Sequence, residues 1–241
     1  MSILEPYPRT NFVDGCPTQS AQTGVSDRRL VVTKVDAAAL CKSACGRPVY
    51  SQVKRALDIA TVVLAGPAVV LVVIMCAALI LLLMGRPIFF VQNRVGRNGR
   101  VFRMYKLRSM QPRPAAESIA TAKNDPRITP LGRFLRRSHL DELPQLWNVL
   151  KGDMTLIGPR PEQPELVARY AELIPHYELR HLVTPGLSGW AQVYYGYAAD
   201  VEETRNKLEH DLFYVQHFGP AIDLRILIRT IEVYSNPTYV R

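Results

Sequence analysis

The 241-residue chain lacks the short signatures that mark several enzyme classes. It has no Gly-x-Ser-x-Gly elbow and no Walker-type loop, so neither a common α/β serine hydrolase nor a P-loop enzyme is indicated. No Asp-x-Asp occurs, which disfavours the two-domain, Rossmann-like type of sugar transferase that uses it to hold a metal. His139, His176, His181, His210 and His217 are scattered without metal-ligand spacing, and none is assigned to catalysis. Cys16, Cys41, Cys45 and Cys76 offer no second close pair and no nearby histidine; they read as reduced and incidental, in keeping with a cytoplasmic compartment. The start carries no basic stretch, apolar core and small-residue cleavage site, so no secretory signal peptide is expected. No internal repeat is visible. Aromatics do not interleave with basic residues and no nucleic-acid module is recognisable, so no nucleic-acid partner is expected.

Acidic residues are also in short supply, with 21 Asp and Glu against 30 Lys and Arg and a formal net charge of +9. That excess implies an anionic partner, an acidic lipid surface or a phosphorylated small molecule once nucleic acid is set aside. The length and a hydrophobic share of 48% suit one substantial domain plus a membrane segment.

Residues 56–84 read ALDIATVVLAGPAVVLVVIMCAALILLLM, in which Asp58 is the only charged residue. Such a run is long enough to cross a bilayer. Two features argue against an ordinary span: Gly66-Pro67 lies well inside it, and both flanks are basic, with Lys54 and Arg55 before it and Arg86, Arg94 and Arg97 after it. Positive charge is biased toward the cytoplasmic side, so both ends are expected there. Pro67 lacks an amide hydrogen and clashes with the preceding turn, which predicts a re-entrant hairpin rather than a kinked transmembrane helix.

Beyond the run, residues 88–91 and 101–107 read as two short strands around a basic turn containing Asn98-Gly99. Residues 111–130 hold four prolines and read as a loop. Short helices are expected over 131–137, 140–150, 162–173 and 222–234, with Gly152 and Pro175 as stops. The fold class is α+β: a mostly helical, compact catalytic domain with a short β-hairpin, anchored by a Pro-kinked re-entrant membrane helix. The expected division is a flexible or accessory extension over 1–50, the membrane helix over 51–86 and the catalytic domain over 87–241.

The most informative stretch runs from Arg136-Arg137-Ser138-His139 into Leu140-Asp141-Glu142-Leu143-Pro144-Gln145. Adjacent carboxylates can share a divalent cation. Ser138 and Asp141 also satisfy an acidic capping box, a purely structural alternative. Lys106, Arg108, Arg133, Arg136, Arg137 and Arg160 lie in the same half of the chain, and such a set suits a diphosphate. Phosphoryl transfer needs cations to spread charge, a metal to bridge phosphate oxygens and a positioned nucleophile, and an aspartate can be that nucleophile. Gly158-Pro159-Arg160-Pro161 holds an arginine between rigid prolines, as a phosphate fork or as a structural turn. Pro185-Gly186-Leu187-Ser188-Gly189-Trp190 reads as a glycine-rich turn with an aromatic.

From about residue 51 to 234 the chain resembles the bacterial sugar transferase family, the monotopic phosphoglycosyl transferases of polysaccharide and glycoconjugate assembly. The resemblance rests on Lys54-Arg55-Ala56-Leu57-Asp58, on Arg94-Val95-Gly96 through Lys106-Leu107-Arg108-Ser109-Met110, and on Asp125-Pro126-Arg127-Ile128-Thr129. It continues through the 140–146 stretch, Lys151-Gly152-Asp153-Met154 and the Gly158 and Pro185 turns.

The resemblance implies a UDP-sugar donor, a polyprenyl (undecaprenyl) phosphate acceptor, release of UMP and contact with membrane lipids at the cytoplasmic face of the inner membrane. It implies Asp141 as nucleophile and, with Glu142, as holder of Mg²⁺, and it implies that Arg136 and Arg160 bind phosphate; Lys106 and Arg108, from the cationic set, are expected as further substrate contacts. A homo-oligomer is left open. The family commonly has Ser-Pro at the kink where Gly66-Pro67 stands here, so no serine hydroxyl assists the break. The competing class is a non-catalytic basic protein that binds membrane surfaces, which needs no acidic pair beside Arg136.

Overall fold

The computed structural model describes residues 36–111, 125–196 and 200–235, and the backbone of a small antiparallel pairing, β1 (Phe12–Val13) with β2 (Cys16–Pro17). Most of the 1–50 extension and residues 112–124 of the expected Pro-rich loop lie outside these residues. The end of the extension differs from expectation. Helix α1 (Ala37–Cys45) opens on Asp36, whose carboxylate accepts from the amides of Ala38 and Ala39 at 3.0 and 3.1 Å. Leu40, Cys41 and Ala44 are buried in the main core. With only nine residues, this helix gives an apolar pattern too short to read as periodic.

Helix α2 (Pro48–Met84) begins with a proline at its first turn, where no amide is needed, and runs on through Pro67. Its most apolar window has a mean hydropathy of 3.0, long and apolar enough to cross a membrane. It is apolar all round, the composition of a helix that meets lipid or core on every side. Only its ends are buried: Asp58 and Val62 at one, Cys76 and Ile80 at the other, with no buried residue over 63–71. Val62 packs with Phe102, Met104, Val149 and Met154, whereas Cys76 and Ile80 pack with Leu107 and Leu135.

The hairpin forms as the sequence predicts, with a longer first strand. Antiparallel β3 (Phe89–Val95) and β4 (Val101–Leu107) pair from Phe89↔Leu107 to Val95↔Val101. Their turn needs positive φ at Asn98 (55°) and Gly99 (72°), which asparagine and glycine tolerate best. Met110 bridges Ile128, so the ends of the Pro-rich segment are held together.

The remaining elements are α3 (Pro130–Arg137), α4 (Gln145–Lys151), β5 (Thr155–Ile157), α5 (Pro164–Leu173), β6 (Gly186–Ser188), α6 (Trp190–Tyr194), α7 (Val201–His217) and α8 (Pro220–Ser235). Single 3-10 segments cover Leu140–Glu142 and Tyr177–Leu182. Gly152 ends α4 at φ 90°, as its stop role requires. Helix α7 is absent from the sequence reading; it is capped by Asp200 on the Glu203 amide at 2.7 Å and buries Leu208, Leu212 and Val215 at helical spacing. The short strands β5 and β6 run parallel, Thr155 opposite Gly186 and Ile157 opposite Ser188. A side chain on Gly186 would place its Cβ 2.1 Å from the Gly158 amide nitrogen, so only glycine lets these two segments approach. The crossover between them carries Arg160.

Candidate active site

The acidic pair sits in a bend between two helices. Helix α3 ends at Arg137, and the Ser138 hydroxyl donates back to the carbonyls of Phe134 (2.8 Å) and Leu135 (3.2 Å). Ser138 therefore closes α3 and does not cap the next helix, contrary to the capping-box alternative. His139 then turns the chain through a left-handed conformation (φ 55°), and Leu140–Glu142 wind as a 3-10 turn with the Glu142 amide on the His139 carbonyl at 3.1 Å. This break separates Ser138 from Asp141 and points Asp141 inward, to 6% exposure.

The two carboxylates have opposite surroundings. Glu142 Oε1 accepts from Lys106 Nζ and from Arg160 Nη2, each at 2.7 Å. Burial pushes the Glu142 carboxyl up, but Arg160 and Lys106 outweigh it and hold the group well below the usual carboxylate range. Asp141 accepts no hydrogen bond from any described residue. Burial, opposed by Lys106 and reinforced by the charge of Glu142, pushes its carboxyl up to about 6, with Arg136 and Arg160 pulling the other way. The pair thus splits into one carboxylate that gathers cations and one that is desolvated and, among the described residues, without a hydrogen-bond partner.

Lys106 arrives on β4, and burial depresses its ammonium despite Glu142. Arg160 arrives on the loop that leaves β5, whose approach to β6 depends on Gly158 and Gly186. Arg136, in the last turn of α3, meets only the Met110 sulfur at 3.5 Å among the described residues, leaving its fork available beside Asp141.

The structure does not bring Arg108 to this cluster. Its guanidinium donates to the carbonyls of Arg86 (2.8 Å), Met84 (2.5 Å) and Gly85 (2.6 Å), closing the carboxyl end of α2. A cation opposite a helix end is indistinguishable, by sequence, from one opposite a substrate. Pro67 is exposed between the two packed ends of α2.

Residues near the acidic pair also escaped the sequence reading. Tyr234, from the last turn of α8, packs its ring 4.3 Å from that of His139 and feels the charges of Glu142, Arg160 and Asp141. Nothing in their spacing, 95 residues apart by number, announces the contact. Arg180, which with Arg94 grips the Arg160 loop from behind, gave no signal either, and Arg94 was read only as part of a basic flank and of the Arg94-Val95-Gly96 motif.

Among the described residues no group of three or more His, Cys, Asp or Glu side chains converges to make a complete metal cage. The donor set instead suits Mg²⁺, which binds through one or two carboxylates and completes its shell with water and substrate phosphate oxygens. Asp141 has no donor to satisfy it, and Glu142 keeps Oε2 clear of Lys106 and Arg160. The residues present fit the ion.

Known proteins extend this picture. A relative from Aeromonas hydrophila, a UDP-N-acetylgalactosamine-undecaprenyl-phosphate N-acetylgalactosaminephosphotransferase, is 46% identical over 77% of this chain and 44% of its own length. A UDP-glucose:undecaprenyl-phosphate glucose-1-phosphate transferase of Xanthomonas campestris pv. campestris is 45% identical over 60% of this chain and 31% of its own length. The chain thus spans less than half of these two relatives. It spans 92% of the exopolysaccharide production protein PSS of Rhizobium leguminosarum bv. phaseoli, at 39% identity over 74% of this chain. The bacterial sugar transferase profile matches residues 49–236, from the start of the long helix through Tyr234. On that match the chain belongs to the bacterial sugar transferase family.

Proposed function

We propose that the chain transfers a sugar-1-phosphate from a UDP-sugar to polyprenyl (undecaprenyl) phosphate, releasing UMP, through a covalent intermediate on Asp141. The observation that carries this reading is the unpaired, buried Asp141 carboxylate beside a Glu142 that gathers Lys106 and Arg160. An Asp141 oxygen attacks the phosphorus that bears the sugar; the bond from that phosphorus to the UMP oxygen breaks and UMP leaves. A phosphate oxygen of the polyprenyl acceptor then attacks the same phosphorus, breaking the bond to Asp141 and regenerating its carboxylate. Neither step needs a proton from the protein.

Arg160, Lys106 and Arg136 receive the charge of the diphosphate as it spreads in the transition state, and the bidentate fork of arginine suits the task. Asp141 and Glu142 would hold Mg²⁺, which when bound neutralises phosphate charge and orients the donor. Burial of Asp141 disfavours its ionised form in the resting site, and a nucleophile so destabilised gains by bonding to phosphorus.

The membrane part of the proposal is a re-entrant α2 with both ends on the cytoplasmic face of the inner membrane. It is supported by the packing of both ends of α2 on one domain, through Asp58 to Thr155 and through Arg108 to Met84. Residues 63–71, without burial, would form the part that dips into lipid. Leu224, Leu227, Ile228 and Ile231 line the outer side of α8 and would meet the same surface.

The test is incubation with labelled UDP-glucose or UDP-N-acetylgalactosamine, Mg²⁺ and no acceptor. UMP release with label retained on Asp141 is expected. A protein that only binds membranes releases no UMP, and release without label on Asp141 rules out the covalent route.

A further inference from the structure

The loop that presents Arg160 is fixed at every residue. The Gly158 amide donates to the Ser188 carbonyl (2.8 Å), and the Gly186 amide donates to the Pro159 carbonyl (2.9 Å). Arg180 Nη2 donates to the Arg160 carbonyl (2.9 Å), Arg94 Nη1 to the Pro161 carbonyl (3.0 Å) and the Val95 amide to the Glu162 carbonyl (2.9 Å). Five consecutive residues, two of them proline, have no slack left between β5 and α5.

Within that set Arg180 stands apart. It is 3% exposed, and its partner Asp211, on α7, is 2% exposed. Arg180 Nη2 pairs with Asp211 Oδ2 at 2.7 Å, and Nη1 donates to the Tyr177 hydroxyl at 2.7 Å. A buried ion pair is a poor source of stability, because desolvating two charges offsets their attraction, and an apolar pair of like volume often serves as well. An apolar pair could not hold the Arg160 carbonyl. The pair touches neither carboxylate of the acidic site; its link to that site runs through the Arg160 backbone. An arginine side chain has many rotamers, so where its fork stands depends first on where its Cα is held.

We propose that Arg180, held in place by Asp211, is a positioning residue for Arg160, fixing its backbone so that the guanidinium stands on Glu142 and meets the donor diphosphate. The proposal rests on the reading of Arg160 as a phosphate-binding group. Without Arg180 the Arg160 carbonyl loses its only partner from the Tyr177–Leu182 turn, and the fork loses register with Lys106.

The test is a double-mutant cycle on the full chain in nanodiscs, reading affinity for UDP in the presence of Mg²⁺ alongside melting temperature. Arg180→Lys keeps a cation for Asp211, and Arg180→Met with Asp211→Leu replaces the pair by apolar side chains. Each is expected to bind UDP about tenfold more weakly, the loss of roughly one charge-assisted hydrogen bond. Arg160→Lys alone should weaken UDP similarly, and adding either Arg180 change to it should cost less than about twofold more, because coupled residues do not act additively. A melting temperature that stays near wild type in the apolar pair supports positioning over stability. Unchanged UDP affinity in the Arg180 variants, or a loss that multiplies fully with Arg160→Lys, overturns the proposal. Unchanged affinity in Arg160→Lys itself, or no UDP binding by the wild type, instead strikes the phosphate-binding reading on which it stands.

Discussion

The Thr155 hydroxyl, at the start of β5, donates to the Asp58 carboxylate of α2 at 2.5 Å, and the same carboxylate takes the Leu156 amide at 3.3 Å. The one acid of the apolar run is thus the rivet between the membrane helix and the strand that leads to Arg160. Asp58→Ala leaves a buried hydroxyl and an amide without their partner and should destabilise the protein by about 1–3 kcal/mol. Thermal unfolding in detergent checks this; an unchanged melting temperature would show that water replaces the carboxylate.

The packing of both ends of α2 on one domain sets the expected topology. Val53→Cys and Arg86→Cys, each made in a background without native cysteines, should both resist a membrane-impermeant thiol reagent applied from outside intact cells and react after permeabilisation. Labelling of one site alone from outside would place the two flanks across the bilayer.

Asp141 carries a pH signature. Its folded-state carboxyl, raised from 3.8 to about 6, disfavours ionisation in the native protein. The penalty is full above about pH 6 and vanishes below 3.8, so at pH 7.5 Asp141→Asn should be more stable than wild type by up to about 3 kcal/mol, and the two should converge near pH 4. UMP release by the wild type needs the ionised Asp141 carboxylate and should fall in acid, at a pH below that of the metal-free group because bound Mg²⁺ favours ionisation, and Asp141→Asn should release none. Turnover retained by the folded Asn variant would end the covalent mechanism.

Arg160→Lys keeps charge but not the fork. The loss of transition-state stabilisation is expected to be about 2–4 kcal/mol, or about 30- to 1000-fold in rate. Steady-state kinetics of UMP release give the answer; wild-type rates would leave Arg160 as a turn residue.

Gly186→Ala tests the seam behind the Arg160 loop. Its Cβ would fall 2.1 Å from the Gly158 nitrogen, so β5 and β6 must separate. A cost of about 1–3 kcal/mol is expected, with a rate loss larger than that of a destabilising change remote from the loop. Comparison with a core variant of equal melting temperature, such as one at Val167, separates the two effects.

Much of the fold was legible because local chemistry decides it. The apolar run, the Asn98-Gly99 hairpin and the helix stop at Gly152 follow from hydrophobicity, positive-φ tolerance and capping, all of which act over a few residues. Helix α1 was too short to show a period, and α7 hid its apolar stripe among charged neighbours such as Glu209 and Asp211. The candidate site was legible as a set of residue types, since two adjacent carboxylates among arginines suit a diphosphate wherever they fold.

The sequence by itself determined a basic, membrane-seeking chain of this family with Asp141, Glu142 and a surplus of cations to serve them. Only the tertiary structure decided which cations do so: Lys106 and Arg160 meet on one oxygen of Glu142, whereas Arg108, two residues from Lys106, closes the end of α2. The physical reason lies in contacts between distant parts of the chain, since strand alternation by itself would put Lys106 and Arg108, two residues apart, on one face. Residues on β4 and just past it face different neighbours, and whether a guanidinium ends on a helix carbonyl or beside a carboxylate depends on what the fold brings to it from 18 to 36 positions away.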